Sequence, residues 1–247
     1  MSRIYDALEN YREMGATLHE PMPAPPLSVP LIGQTNGNEV GLELEMTTLY
    51  QTITAALPDS PHRSILFVGS RSKEGTSTIA RELAKTVSLR MGKEVLLVDC
   101  DGSCNGLVYP DADPDLKLEE VLATGKQIEK VLCPVDGTSL SILPLFRWAA
   151  SPRPQTVDFG NGGGFWNLLK EKFELVVVDF PPAMMFANGP SIISLVDGVV
   201  IVVEAEKTRW QVALSVKEKI VKSGGTVLGI VFNKQRHYIP QFIYNRL

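Results

Sequence analysis

The chain is poor in the residues that build metal and redox centres, with three cysteines and three histidines in 247 residues. Cys100, Cys104 and Cys133 are an odd and sparse set, which fits a reducing compartment and argues against a disulfide framework. Cys100 and Cys104 stand four apart with no second pair or nearby histidine, so they read as packed or solvent-facing thiols and not as zinc ligands. His19, His62 and His237 are scattered and receive no role. No apolar run approaches the ~20 residues that a membrane helix needs, and the polar amino terminus lacks the pattern of a signal peptide. A basic excess is missing too. Lys and Arg number 24 against 28 Asp and Glu, for a net charge of −4, and the cations are spread along the chain, which sets nucleic-acid binding aside. These absences point to a cytoplasmic protein whose membrane association would run through a partner.

What is present is an ordinary globular composition, 44% hydrophobic and 21% charged, with a clear segmental order. Residues 1–20 place Ile4, Tyr5, Leu8 and Tyr11 at helical spacing behind a candidate cap at Ser2. Residues 21–37 begin Pro21-Met22-Pro23-Ala24-Pro25-Pro26 and should run extended as a linker. The tethered helix would dock either on its own domain or on a neighbour. Residues 38–247 form the main domain. Its first helix spans about Asn38 to Leu57, with Leu42, Met46, Leu49, Tyr50, Ile53 and Leu57 on one face and Pro58 as the stop. Strands then alternate with helices: strand 64–68, helix Ser77–Met91 closed by Gly92, strand Val95–Asp99, a helical turn near Leu116–Ala123 and a strand near Ser139–Leu145. A glycine-rich linker at 159–164 follows, then a helix to Glu171, strands Leu175–Val178 and Val199–Val203, the helix Arg209–Lys222 and the strand Val227–Phe232. Such alternation predicts an α/β fold, a doubly wound and mostly parallel sheet with helices on both faces. Ligands of such sheets lie at the carboxyl ends of the strands.

The stretch Ser64-Ile-Leu-Phe-Val-Gly69-Ser70-Arg71-Ser72-Lys73-Glu74-Gly75-Thr76-Ser77-Thr78 passes from strand through a polar loop into a helix. That is the layout of a phosphate loop, whose successive N–H groups meet an anion at the positive end of a helix. Residues 71–78 are therefore the candidate nucleotide-binding set. One residue departs from the P-loop pattern: Thr76 stands where Gly-Lys-Ser/Thr would carry its lysine. Asp99 and Asp101 follow one apolar strand and Asp179 another, where carboxylates beside a phosphate loop hold Mg²⁺ directly or through water, with the Ser77 hydroxyl as a further ligand. Asp99, Asp101 and Asp179 are accordingly the candidate catalytic residues, and Ser77, Asp99 and Asp179 the candidate metal ligands.

Phosphate loop, then Leu-Leu-Val-Asp99-Cys-Asp101, then Val-Val-Val-Asp179-Phe-Pro181-Pro182, then Asp197-Gly-Val-Val-Ile-Val-Val, then Gly229-Ile-Val-Phe-Asn233-Lys resembles the bacterial tyrosine autokinases of exopolysaccharide and capsule synthesis. These are part of the MinD/ParA-like group of P-loop ATPases. The resemblance spans about residues 38–247, and the opening Met1-Ser-Arg-Ile-Tyr-Asp-Ala-Leu8 is similar to the start of members that are separate from their membrane partner. It implies ATP or ADP with Mg²⁺, aspartates that serve metal and water, and Asn233 near the base. It further implies a membrane co-polymerase or chain-length partner, and a homo-oligomer.

Several departures from the family pattern imply weak or lost phosphoryl transfer. Besides Thr76, Ser103 and Cys104 stand where arginines are usual. The assembly-helix pattern falls on Glu45, Thr48 and Gln51 without its arginines. The tail keeps only Tyr238 and Tyr244 as candidate phosphorylation positions, and these either accept phosphate or anchor the terminus. A lost charge-assisted hydrogen bond costs about 1.5–3 kcal/mol, so binding would survive more readily than catalysis. Arg71 lies five residues before Thr76, where MinD/ParA-like ATPases carry a lysine that crosses a dimer. A solvated loop cation is the equal alternative. The reading is thus a nucleotide-binding subunit with a degenerate Walker A motif. An active autokinase and a non-enzymatic assembly subunit are the alternatives.

Overall fold

The computed structural model describes residues 27–28, 39–57, 59–100, 121, 128, 131–145, 164–185 and 192–235. The expected amino-terminal helix, the 159–163 glycine loop and the carboxyl tail lie outside the described residues, as does most of the turn near 116–123. In chain order the elements are β1 (Leu27–Ser28), α1 (Glu39–Ala55), β2 (Arg63–Gly69), α2 (Thr76–Met91), β3 (Val95–Asp99), β4 (Cys133–Pro134) and β5 (Leu140–Pro144). They continue with α3 (Gly164–Lys172), β6 (Leu175–Phe180), α4 (Ile192–Leu195), β7 (Gly198–Glu204), α5 (Trp210–Lys222) and β8 (Val227–Asn233). The strands form one sheet in the order β1-β8-β7-β2-β6-β3-β5-β4. Every pairing is parallel except that of β4 with β5. The extended reading of the proline-rich stretch gains a detail, because Leu27 and Ser28 pair with Gly229 and Ile230 at the sheet's edge.

The interior strands are continuous apolar runs because both of their faces are covered. On one face α1 and α2 pack Met46, Leu49, Ile53, Ile79, Leu83 and Val87 against Ile65, Phe67, Leu97 and Val177. On the other, α3, α4 and α5 pack Phe165, Trp166, Ile192, Val216 and Ile220 against Leu66, Val98, Val178 and Ile201. Each such aliphatic or phenyl side chain, taken fully out of water, contributes about 1.5–3 kcal/mol before the entropy of ordering is counted. The apolar face expected for the first helix is the one that is buried, with Leu42 and Tyr50 at its rim. Gly92 ends α2 in a left-handed conformation (φ 64°), and its N–H bonds the Ser88 carbonyl, as a helix-terminating glycine should.

A polar tie fixes the amino-terminal end of this sheet. The Asp197 carboxylate accepts the Ser64 N–H at 2.7 Å and the Ser64 hydroxyl at 2.8 Å, and its other oxygen accepts Lys170 Nζ at 2.6 Å. Three elements thereby meet on one half-buried charge, so its loss strands three donors at once. Asp197→Ala is expected to lower unfolding stability by about 2–3 kcal/mol, measured by urea denaturation, with Asp197→Asn losing less because it keeps an acceptor.

Candidate functional site

Strand β2 lies between β6 and β7, the most interior part of the sheet, and it delivers the polar loop to their shared carboxyl end. The loop turns through two residues at positive φ, Lys73 (69°) and Gly75 (92°). Gly75 caps α2 with no side-chain hydrogen bond to the helix's first amides, and no acidic residue occupies the first turn. The positive end of a sixteen-residue helix is therefore presented with no acidic residue in its first turn. Above it opens a pocket of about 280 Å³, lined by Arg71, Ser72, Lys73, Gly75, Thr76, Ser77 and Thr78, with Phe180 and Pro182 as the opposite wall. Arg71 and Lys73 are exposed. The sequence-derived binding set is thus brought together, apart from Glu74 and Asn233.

Glu74 is turned the other way. It is 3% exposed, and its Oε1 accepts the Ser70 hydroxyl at 2.7 Å and the Thr208 hydroxyl at 2.6 Å, while Oε2 accepts the Arg71 N–H at 2.8 Å. Thr76, in the lysine's place, fills the space over Gly69: a methyl group added there would lie 2.6 Å from Thr76 Oγ1 and 3.3 Å from Glu74 Oε2. Asn233 serves as an anchor for the loop. Its Nδ2 donates to the Glu74 carbonyl at 2.8 Å and its Oδ1 accepts the Lys234 N–H. Lys234 Nζ in turn donates to the Lys73 carbonyl and lies 3.6 Å from Glu204. The hydrogen bond from Lys207 holds the Glu204 carboxyl below its ordinary pKa, and Lys234 adds to the effect.

Asp99 and Asp179 are paired in register on neighbouring strands, and the Cys100 N–H donates to the Asp179 carbonyl at 3.0 Å. Alternation from Leu97 and Val177 puts both carboxylates on the sheet face that α2 covers, and both are buried. Asp179 directly precedes Phe180 of the pocket wall. Two side-by-side carboxylates are a hard oxygen donor set, which suits Mg²⁺ completed by a hydroxyl and water. Among the described residues no three acidic, histidine or cysteine side chains converge on one point. Asp101, Tyr238 and Tyr244 lie outside the described residues. Sequence reasoning did not single out Thr208, a polar residue in a turn that no signal marks, and it met Lys234 only as the last residue of a motif. Phe180 and Pro182 were visible only as part of a motif.

No family model matches the chain. In sequence it is 26% identical over 211 residues to the tyrosine-protein kinase ptk of Acinetobacter johnsonii, covering 83% of this chain and 28% of that protein. It is 25% identical over 176 residues to the tyrosine-protein kinase CpsD of Streptococcus agalactiae, 70% of this chain and 75% of that one. Its relatives are bacterial tyrosine-protein kinases. Solved structures share the fold. A chimeric CapA2B2 protein superposes with TM-score 0.68 at 21% identity, over 86% of this chain and 96% of its own. The cell-division ATPase MinD of Pyrococcus furiosus superposes at 0.52 and 23% identity, over 75% and 79%. The α/β architecture is thus shared with MinD and with the tyrosine kinase domain of BceF, TM-score 0.60 at 21% identity over 79% of this chain and 76% of that one. Among the described residues no helix is long and apolar enough to cross a membrane.

Proposed function

We propose that the chain binds ATP or ADP with Mg²⁺ and acts as a regulatory nucleotide-binding subunit of exopolysaccharide synthesis and export. In this reading it is related to tyrosine autokinases but carries a degenerate Walker A motif, and it works through a membrane chain-length or export partner, as a homo-oligomer. The observation that carries this reading is the juxtaposition at one end of the sheet. An uncapped helix start and a loop with two left-handed residues stand beside an in-register aspartate pair. Backbone amides and the helix dipole supply the phosphate site, and Asp99, Asp179 and Ser77 would hold the metal. Magnesium would neutralise phosphate charge, while Arg71 and Lys73 in the pocket wall partly replace the missing ammonium.

Titration of Mg-ATP into the wild type and Thr76→Lys tests the reading. Micromolar to sub-millimolar binding by the wild type is expected, with an affinity gain of roughly tenfold or more on restoring the lysine. Absence of binding at millimolar nucleotide would leave only the assembly role. An unchanged affinity in Thr76→Lys would mean that the loop has been rebuilt around threonine, with Glu74 capturing the new ammonium.

The kinase relatives favour a second reading, autophosphorylation of Tyr238 or Tyr244 between chains. Phosphate there would add negative charge to a tail that also carries Arg236 and Arg246. Intact-mass measurement after incubation with ATP, beside a Tyr238→Phe/Tyr244→Phe control, decides it.

A further inference from the structure

The phosphate loop is fastened from behind at a point outside the pocket. Two of the hydrogen bonds to the Glu74 carboxylate, from Ser70 and the Arg71 N–H, come from the loop itself. The third comes from Thr208, 134 residues away in sequence, and at 2.6 Å it is the shortest of them. Thr208 is held in turn, because its own N–H bonds the Glu204 carbonyl at 3.0 Å within a turn that passes through Glu206 at φ 63°. A hydroxyl donating to a buried carboxylate makes a charge-assisted bond. Losing it would leave Oε1 with the Ser70 hydroxyl and free the Glu74 side chain to move toward Thr76 and the loop's backbone.

We propose that Thr208 is a positioning residue for the phosphate loop: acting through Glu74, it sets the loop's shape and ties nucleotide affinity to the turn that opens α5. This rests on the nucleotide-binding reading above. The loop's amides hold a phosphate only while they converge, and a displacement of about 1 Å in a positioning contact weakens the interaction it serves. Coupling of this kind is reciprocal, so nucleotide in the pocket must also steady residues 205–210.

The test uses the full-length chain as wild type, Thr208→Val and Thr208→Ser, in Mg-ATP titrations and in amide hydrogen exchange with and without nucleotide. Thr208→Val should weaken Mg-ATP binding roughly tenfold with melting in the absence of nucleotide unchanged, and Thr208→Ser should restore it to near wild type. Nucleotide should slow exchange at 205–210 in the wild type and the serine variant, and not in the valine variant. Equal affinity in wild type and Thr208→Val overturns the proposal, as does an affinity loss that serine fails to rescue. A loss matched by global destabilisation also overturns it, since Thr208 would then be merely structural. If the wild type binds no nucleotide, the functional reading fails separately. Exchange at residues 70–75 without nucleotide then decides the clasp: faster exchange in Thr208→Val upholds it and unchanged exchange refutes it.

Discussion

Gly75→Ala is expected to abolish Mg-ATP binding at micromolar protein while leaving the sheet folded. Gly75 sits at φ 92°, and a methyl group there would lie 2.1 Å from Asn233 Nδ2. The left-handed conformation costs an L-residue about 1–2 kcal/mol, and expelling the Asn233 amide forfeits its hydrogen bond to the Glu74 carbonyl, about 1 kcal/mol more. Relaxing the backbone to relieve either strain moves the amide array away from the phosphates. A weakening of roughly 30- to 150-fold follows from the sum, measured by calorimetric titration, with circular dichroism as the control for folding. An affinity within threefold of wild type would show that phosphates are not held at this loop.

The second large effect concerns the aspartate pair. Mg²⁺ together with ATP is expected to raise the melting temperature of the wild type, and Asp179→Asn should lose the magnesium-dependent part of that rise. Asp99 and Asp179 stand side by side on adjacent strands, and both are buried. Neighbouring carboxylates are a hard oxygen donor set of the kind a divalent cation binds. A ligand present at 100 times its dissociation constant stabilises by about 2.7 kcal/mol, a shift that a thermal melt reads easily. Retention of the full magnesium effect in Asp179→Asn would remove this carboxylate from the metal site.

The interior of the fold was legible because burial on both faces leaves a continuous apolar strand no alternative. Val95–Asp99 and Leu175–Phe180 announce themselves; Asp99 closes its strand, whereas Asp179, expected just past Leu175–Val178, lies inside a strand that continues through Phe180. Gly92 marked the end of α2 for an equally local reason, whereas α1 stops at Ala55, short of the expected Leu57. The inward turn of Glu74 was not legible. A glutamate in a polar loop reads as exposed, and its burial rests on hydrogen bonds that include one from Thr208, far off in the chain. Asn233 was expected by resemblance near the base. Its engagement with the loop depends on where β8 ends relative to Gly75, a register that spacing along the chain does not reveal. The pairing of Leu27 and Ser28 with β8 was hidden in the same way, since edge pairing leaves no periodicity in two residues.

The clasp has a consequence for the order in which the molecule is made. The loop between β2 and α2 leaves the ribosome early, yet its anchors Thr208 and Asn233 come 134 and 159 residues after Glu74. Strand β2 itself waits for β6 and β7, its neighbours on either side. Until they arrive, the nascent amino-terminal half carries apolar strands with unpaired edges, the state most exposed to aggregation during synthesis. On the nucleotide-binding reading proposed above, nucleotide would not steady that half, because the loop's anchors Thr208 and Asn233 arrive only with the last elements. Chains stalled or cleaved before β8 should therefore be nucleotide-blind and dependent on chaperones, and the pocket marks the completion of the protein.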